Sequence, residues 1–172
     1  MHKKFPNKRL AEELDAYDAA GLAPSSHPPS ELQALVRNVN KVLCSDFPRA
    51  IESAMYLQME TEIIRSSLFR EAPLPRHIPI PFHLNAKMWA IIARTLWFLG
   101  YAGGAESHKH SRQRAHNATQ HLIEHAKNVG TVALVGHGIM NLFIAKQLVK
   151  QSWQGPRKQN TDYWGWSIYQ CP

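Results

Sequence analysis

Val132-Ala133-Leu134-Val135 is an unbroken apolar run that ends in Gly136-His137-Gly138 and passes directly into the helical pattern of Ile139 to Val149. A strand that does not alternate with polar residues has to be covered on both faces, which places Thr131 to Val135 at the centre of a sheet. Lys41 to Cys44 repeats the arrangement on a smaller scale. Ser45-Asp46-Phe47 turns the chain, Pro48 falls in the first helical turn where its missing N–H is harmless, and Ile51, Ala54, Met55 and Gln58 continue one face. Strands that each feed a helix lie parallel, with helices packed above and below. The expected fold is therefore α/β, a three-layer αβα arrangement around a mostly parallel sheet.

The rest of the chain supplies more helices than strands. Arg9 to Ala20 reads as a helix through Leu10, Leu14 and Tyr17, stopped by Gly21, and Glu31 to Val39 as another through Leu32, Leu35 and Val36. Leu68 to Phe82 holds Pro73, Pro75, Pro79 and Pro81, which excludes a regular helix and predicts an extended loop over the surface, of the kind that frames active sites. Ala86 to Leu99 predicts a buried helix. Glu106 to Lys127 predicts a longer, more polar one with Ala115, Ala118, Leu122, Ile123 and Ala126 turned inward. Gly155-Pro156 opens an irregular aromatic tail. The 172 residues, 44% of them hydrophobic, suffice for a proper core, and residues 1–172 are expected to form one domain.

Charge and cysteine usage narrow the class. A formal charge of +7 favours anionic partners, a phosphorylated small molecule or a nucleic acid. The basic groups, densest at Met1 to Arg9, Lys109 to Arg114 and Lys146 to Lys158, lack the interleaved aromatics of a stacking platform, so no nucleic-acid partner is expected. Cys44 and Cys171 are far apart and lack metal-ligand spacing, which points away from a disulfide framework and towards a reducing cytoplasm. Met88 to Tyr101, the most apolar stretch, is interrupted by Arg94 and too short to span a bilayer.

The chemistry concentrates where the two strands end. Arg49 and His137 each stand at the start of a helix, where unpaired N–H groups and the positive end of the helix dipole already favour an anion. A guanidinium grips two phosphate oxygens in a fork, an imidazole donates to a third, and glycines on either side of His137 allow a close backbone approach. These residues compose a phosphate site.

In order and separation the same segments resemble the histidine phosphatase superfamily, the phosphoglycerate-mutase-like fold. Ser45-Asp46-Phe47-Pro48-Arg49-Ala50 with Ser53-Ala54 is similar to its second-arginine motif, and Leu134-Val135-Gly136-His137-Gly138 to its second-histidine motif. Phe69-Arg70-Glu71 resembles the segment that supplies an acidic proton donor, and Gly104-Ala105-Glu106-Ser107 the Gly-Glu-Ser turn before a long helix. The resemblance implies metal-independent phosphomonoester hydrolysis through a phosphohistidine, with no cofactor. Arg49, His137 and Gly138 would bind phosphate, His137 would also serve catalysis, and Glu71 would be the acid, with Glu106 its competitor for that role.

One part of the pattern is missing. The family's nucleophile belongs to an Arg-His-Gly turn after the first strand, and no Arg-His-Gly occurs in this sequence. His2 aligns with that nucleophile only across a gap and has no strand to support it. Without the first strand, Thr131 to Val135 would keep an unpaired edge, open to a second copy of the chain. A chain begun too late, a member without activity, and an edge filled by a partner are three explanations. The alternative function is a non-catalytic phosphate-binding or interaction module. A different chemistry is suggested by His121-Leu122-Ile123-Glu124-His125, the H-x-x-E-H spacing of inverted zinc peptidases, but no third ligand is evident and no metal site is expected.

Overall fold

The structure, a computed structural model, describes residues 4–57 and 61–172. The elements run β1 (Phe5–Pro6), α1 (Leu10–Ala19), α2 (Ser30–Val36), β2 (Lys41–Ser45), α3 (Pro48–Tyr56), β3 (Ile63–Ser66), β4 (His83–Leu84), α4 (Ala86–Phe98), α5 (His108–Val129), β5 (Val132–Val135) and α6 (Gly138–Lys150). They fall into two compact units, Met1–Ala20 with Ala72–Arg112, and Gly21–Glu71 with Gln113–Pro172.

In the first unit, β1 and β4 form a two-residue antiparallel pair, Phe5 opposite Leu84 and Pro6 opposite His83. The core gathers Phe5, Leu10, Ile78, Trp89 and Ala93, because α1 and α4 each turn one apolar stripe inward. Trp89 donates its indole N–H to the Phe5 carbonyl at 3.0 Å, which satisfies the polar atom of a fully buried side chain. Asn85 caps α4 by accepting from the Met88 N–H at 2.9 Å.

The second unit is built on a parallel three-stranded sheet in the order β3-β2-β5. Val42 and Cys44 of β2, with Ile63, Ala133 and Val135 of its neighbours, pack on Ala50, Ile51 and Ala54 of α3. Leu43 and Ser45 point the other way and are also fully buried, so the central strand is covered on both faces. The mixed α/β architecture is thus as expected.

Three local expectations are corrected. β5 lies at an edge and pairs with β2 alone among the described strands, so the central position belongs to β2. A continuous apolar run requires both faces covered and does not require both edges bonded. On α3 the inner face is Ala50, Ile51 and Ala54, whereas Met55 is exposed; Gln58 lies outside the described residues. The proline-rich segment is not a surface loop throughout, since Phe69 is buried in the second unit and Ala72, Pro75 and Ile78 in the first. Proline prevents regular hydrogen bonding, but apolar side chains between prolines still gain from burial. Strands β1, β3 and β4 were not expected from sequence.

Candidate phosphate site

All three parallel strands of the second unit end at the same side, the position where open α/β sheets bind ligands. Strand β2 ends in Ser45 and is followed by Asp46, Phe47 and Arg49; beyond β3 come Arg70 and Glu71; beyond β5 come Gly136, His137 and Gly138. The short turns leave each side chain little choice of direction. Pro48 opens α3 and puts Arg49 in its first turn. A Cβ on Gly136 would run into Oδ1 of Asn141, so a side chain there would have to displace that amide.

His137 is the hub of the arrangement. Its Nε2 lies 2.8 Å from the Ser45 hydroxyl, which itself accepts the Phe47 N–H at 3.3 Å. Its ring meets Phe47 edge-on at 5.4 Å, and the Arg49 guanidinium covers the Phe47 ring at 4.8 Å. Burial, and then the guanidinium groups of Arg49 and Arg114, push the imidazole down to about pKa 3, against a smaller opposing pull from Asp46. His137 is therefore neutral near pH 7 and holds one proton to donate.

Glu71 lies against the same turn. Its Oε1 accepts from the N–H groups of Ile139 and Met140 at 3.1 and 3.0 Å, and Oε2 accepts from Ile139 at 3.3 Å. Those N–H groups belong to the first turn of α6, which the carboxylate caps. Oε2 is also 3.8 Å from where a Cβ on Gly138 would be. The fold thus brings Arg49, His137, Gly138 and Glu71 together within one unit, while His2 lies outside the described residues.

Sequence reasoning missed four members of this cluster. Ser45 engages the imidazole, and Asp46 receives a two-pronged pair from Arg70, Nε to Oδ1 at 2.6 Å and Nη2 to Oδ2 at 2.7 Å. These bonds hold the Asp46 carboxyl below the usual carboxylate range. Arg114 of α5 donates to the carbonyls of Leu68, Arg70 and Glu71 at 3.0, 2.8 and 3.3 Å. Ser45, Asp46 and Arg70 were within segments already singled out and Arg114 within a basic group, but nothing local gave any of them a role in the site.

The competing sites are differently placed. Ser107 accepts the His110 N–H at 3.2 Å and so caps α5, while Glu106, in the first unit, accepts from the buried Ser111 hydroxyl at 2.8 Å. His121 and His125 do share a face of α5, with ring centroids 4.6 Å apart. Among the described residues no group of three or more His, Cys, Asp or Glu side chains is placed to hold a metal ion. Burial pushes the Cys44 thiol up to about 12, which keeps it protonated and unreactive.

Residues 30–171, a span that enters both units, match the histidine phosphatase superfamily, branch 1. The chain belongs to the histidine phosphatase superfamily. Among solved structures, it is similar to the native mycobacterial glucosyl-3-phosphoglycerate phosphatase at 20% identity, covering 70% of this chain and 63% of that one, with a TM-score of 0.51. The same enzyme in its VO3 complex aligns at 15% identity over 98% of this chain and 93% of that one, with a TM-score of 0.54. A mycobacterial hydrolase aligns at 18% identity over 82% and 79%, with a TM-score of 0.52. These likenesses show a histidine phosphatase fold. The chain spans a little under two thirds of the native enzyme's length. No curated protein matches it. No helix among the described residues is long and apolar enough to cross a membrane.

Proposed function

We propose that the cluster at the ends of β2, β3 and β5 binds the phosphoryl group of a phosphomonoester, and that the complete protein hydrolyses it through a phosphohistidine without a metal. The observation that carries this reading is the gathering of the His137 ring and the Arg49 guanidinium on the Phe47 ring at the carboxyl ends of parallel strands. Phosphoryl transfer spreads negative charge over the equatorial oxygens, so placed cations and donors lower its barrier. Arg49 contributes the fork. Nε2 of His137 shares a hydrogen bond with the Ser45 hydroxyl; in the tautomer in which Ser45 is the donor, the imidazole proton is on Nδ1 for a phosphoryl oxygen, and the Gly138 turn permits the close approach.

The covalent step needs a histidine nucleophile. Its ring nitrogen forms a bond to phosphorus as the phosphorus–oxygen ester bond breaks, and the departing alkoxide takes a proton, which Glu71 supplies when its carboxyl group is in the protonated form. Water then cleaves the nitrogen–phosphorus bond and releases phosphate. The resemblance assigns that histidine to an Arg-His-Gly turn, and in this sequence His2 is matched to it only across a gap. The substrate class is a phosphomonoester, and hydrolysis is favoured over mutase chemistry because no element for holding a bisphosphate was recognised in the sequence. Two free thiols, one buried, suit a reducing cytoplasm, and the open edge of β5 suits self-association.

A second reading, a phosphate-binding module without turnover, is favoured by the absence of Arg-His-Gly from the sequence. Calorimetry with inorganic phosphate and an assay with an aryl phosphate in the presence of chelator test both. Arg49→Ala should weaken phosphate binding by about tenfold or more, the worth of a charge-assisted fork. Unchanged affinity in that variant would remove the basis of both readings. Binding without turnover would select the module, and turnover with an acid-labile phosphoprotein would select the enzyme.

A further inference from the structure

We infer that Arg114 is the positioning residue of the site: its guanidinium moulds the backbone from Leu68 to Glu71 and thereby delivers the Glu71 carboxylate to the start of α6. The role of Glu71 as acid rests on the function proposed above, but the positioning stands on geometry alone. Nη1 donates to the carbonyls of Leu68 and Arg70, and Nη2 to that of Glu71. The Leu68 carbonyl lies in the short 3-10 turn at Ser67–Phe69 and those of Arg70 and Glu71 just beyond it, outside any strand or longer helix, so Arg114 supplies donors from another element. A guanidinium carries five N–H donors in a rigid plane and reaches three carbonyls at fixed angles, whereas an ammonium is one rotating point.

The segment is tied at further places, each of which depends on its backbone path. The Phe69 side chain is fully buried, Arg70 reaches the Asp46 carboxylate, and Glu71 reaches the Ile139 and Met140 N–H groups. Glu71 is consequently held at both ends, its carbonyl by α5 and its carboxylate by α6. Shifting the carbonyl would withdraw the carboxylate from helix α6. The same guanidinium also acts on His137. The groups acting on that imidazole are Ser45 at the end of β2, Asp46 in the turn, Arg49 in the first turn of α3 and Arg114 from α5, which adds to the positive field there.

The test uses the full chain without phosphate. Amide hydrogen exchange at Ile139 and Met140 reports whether Glu71 caps α6, and a proton NMR titration reports His137. Arg114→Lys and Arg114→Gln should each lower protection at those two amides by about tenfold, as should Glu71→Ala, which removes the accepting oxygens, while amides from Phe143 to Leu148 keep theirs. Arg114→Gln should also raise the His137 titration point, and Arg114→Lys, which keeps the charge, should raise it less. Protection within about twofold of native in both variants would overturn the inference, as would a loss spread along the whole of α6. If Arg114→Gln does not fold, the two amides in Arg114→Lys decide alone. None of these readouts involves phosphate, so they fail or succeed separately from the binding test on Arg49.

Discussion

A histidine whose imidazole stays neutral to about pH 3 couples folding to acidity. The unfolded chain takes up that proton near 6.5, the ordinary value for the group, and the native chain only near 3. Between those limits the unfolded state binds more protons, so stability falls as pH falls, by ~1.4 kcal/mol per pH unit from this one group. The Asp46 carboxyl, held low by Arg70, adds a loss of the same sign below its ordinary value of 3.8. Urea midpoints between pH 7 and pH 5 should therefore drop in the native chain, and His137→Gln should flatten that slope. An equally steep slope in both would show that His137 is not the group responsible. At this scale Arg49, His137, Glu71 and Gly138 were legible because each belongs to a short local motif. Ser45, Asp46 and Arg70 lay inside such motifs, but their pairings did not show there: Arg70 is 24 residues from Asp46, and Arg114 is 44 from Arg70.

Among the elements, the turn between β5 and α6 is the most constrained. Asn141 places Oδ1 in the space a side chain at position 136 would need, and that oxygen is buried without a hydrogen-bond partner among the described residues. Gly136→Ala should destabilise the chain by about 1 kcal/mol, the low end of overpacking, since the atom it meets is a side-chain tip. Asn141→Ala in the same chain should recover most of that loss, because it vacates the contested volume. Strictly additive effects in a denaturation double-mutant cycle would refute the contact. Helices α4 and α6 and strands β2 and β5 could be read from the sequence, since apolar periodicity and glycine or proline punctuation are local signals. Strand β3 could not. Its four residues, Ile63-Ile64-Arg65-Ser66, carry too short a pattern, and their pairing with Val42 to Ser45 defines them.

For the molecule as a whole, the exposed edge of β5 is the feature with a measurable consequence. Val132 to Val135 bond to β2 on one side only among the described strands, and an apolar edge of that kind templates further pairing. The net charge of +7 opposes close approach of copies, most strongly at low salt. We therefore expect the sedimentation-average mass of the chain to rise with protein concentration, and more steeply as salt is added. A mass that stays monomeric from low to high salt would exclude self-association through this edge.

By itself the sequence determined the α/β class, the two strand-turn-helix segments and the superfamily, because each is written in neighbouring residues whose spacing has one structural solution. It also placed Arg49 and His137 at helix starts. Only the tertiary structure decided that β2 holds the centre of the sheet, that Glu71 caps α6, that Ser45 engages the imidazole, and that Arg114 secures the acidic segment. Those outcomes depend on which strand faces which and on side chains tens of residues apart, and a one-dimensional pattern records neither.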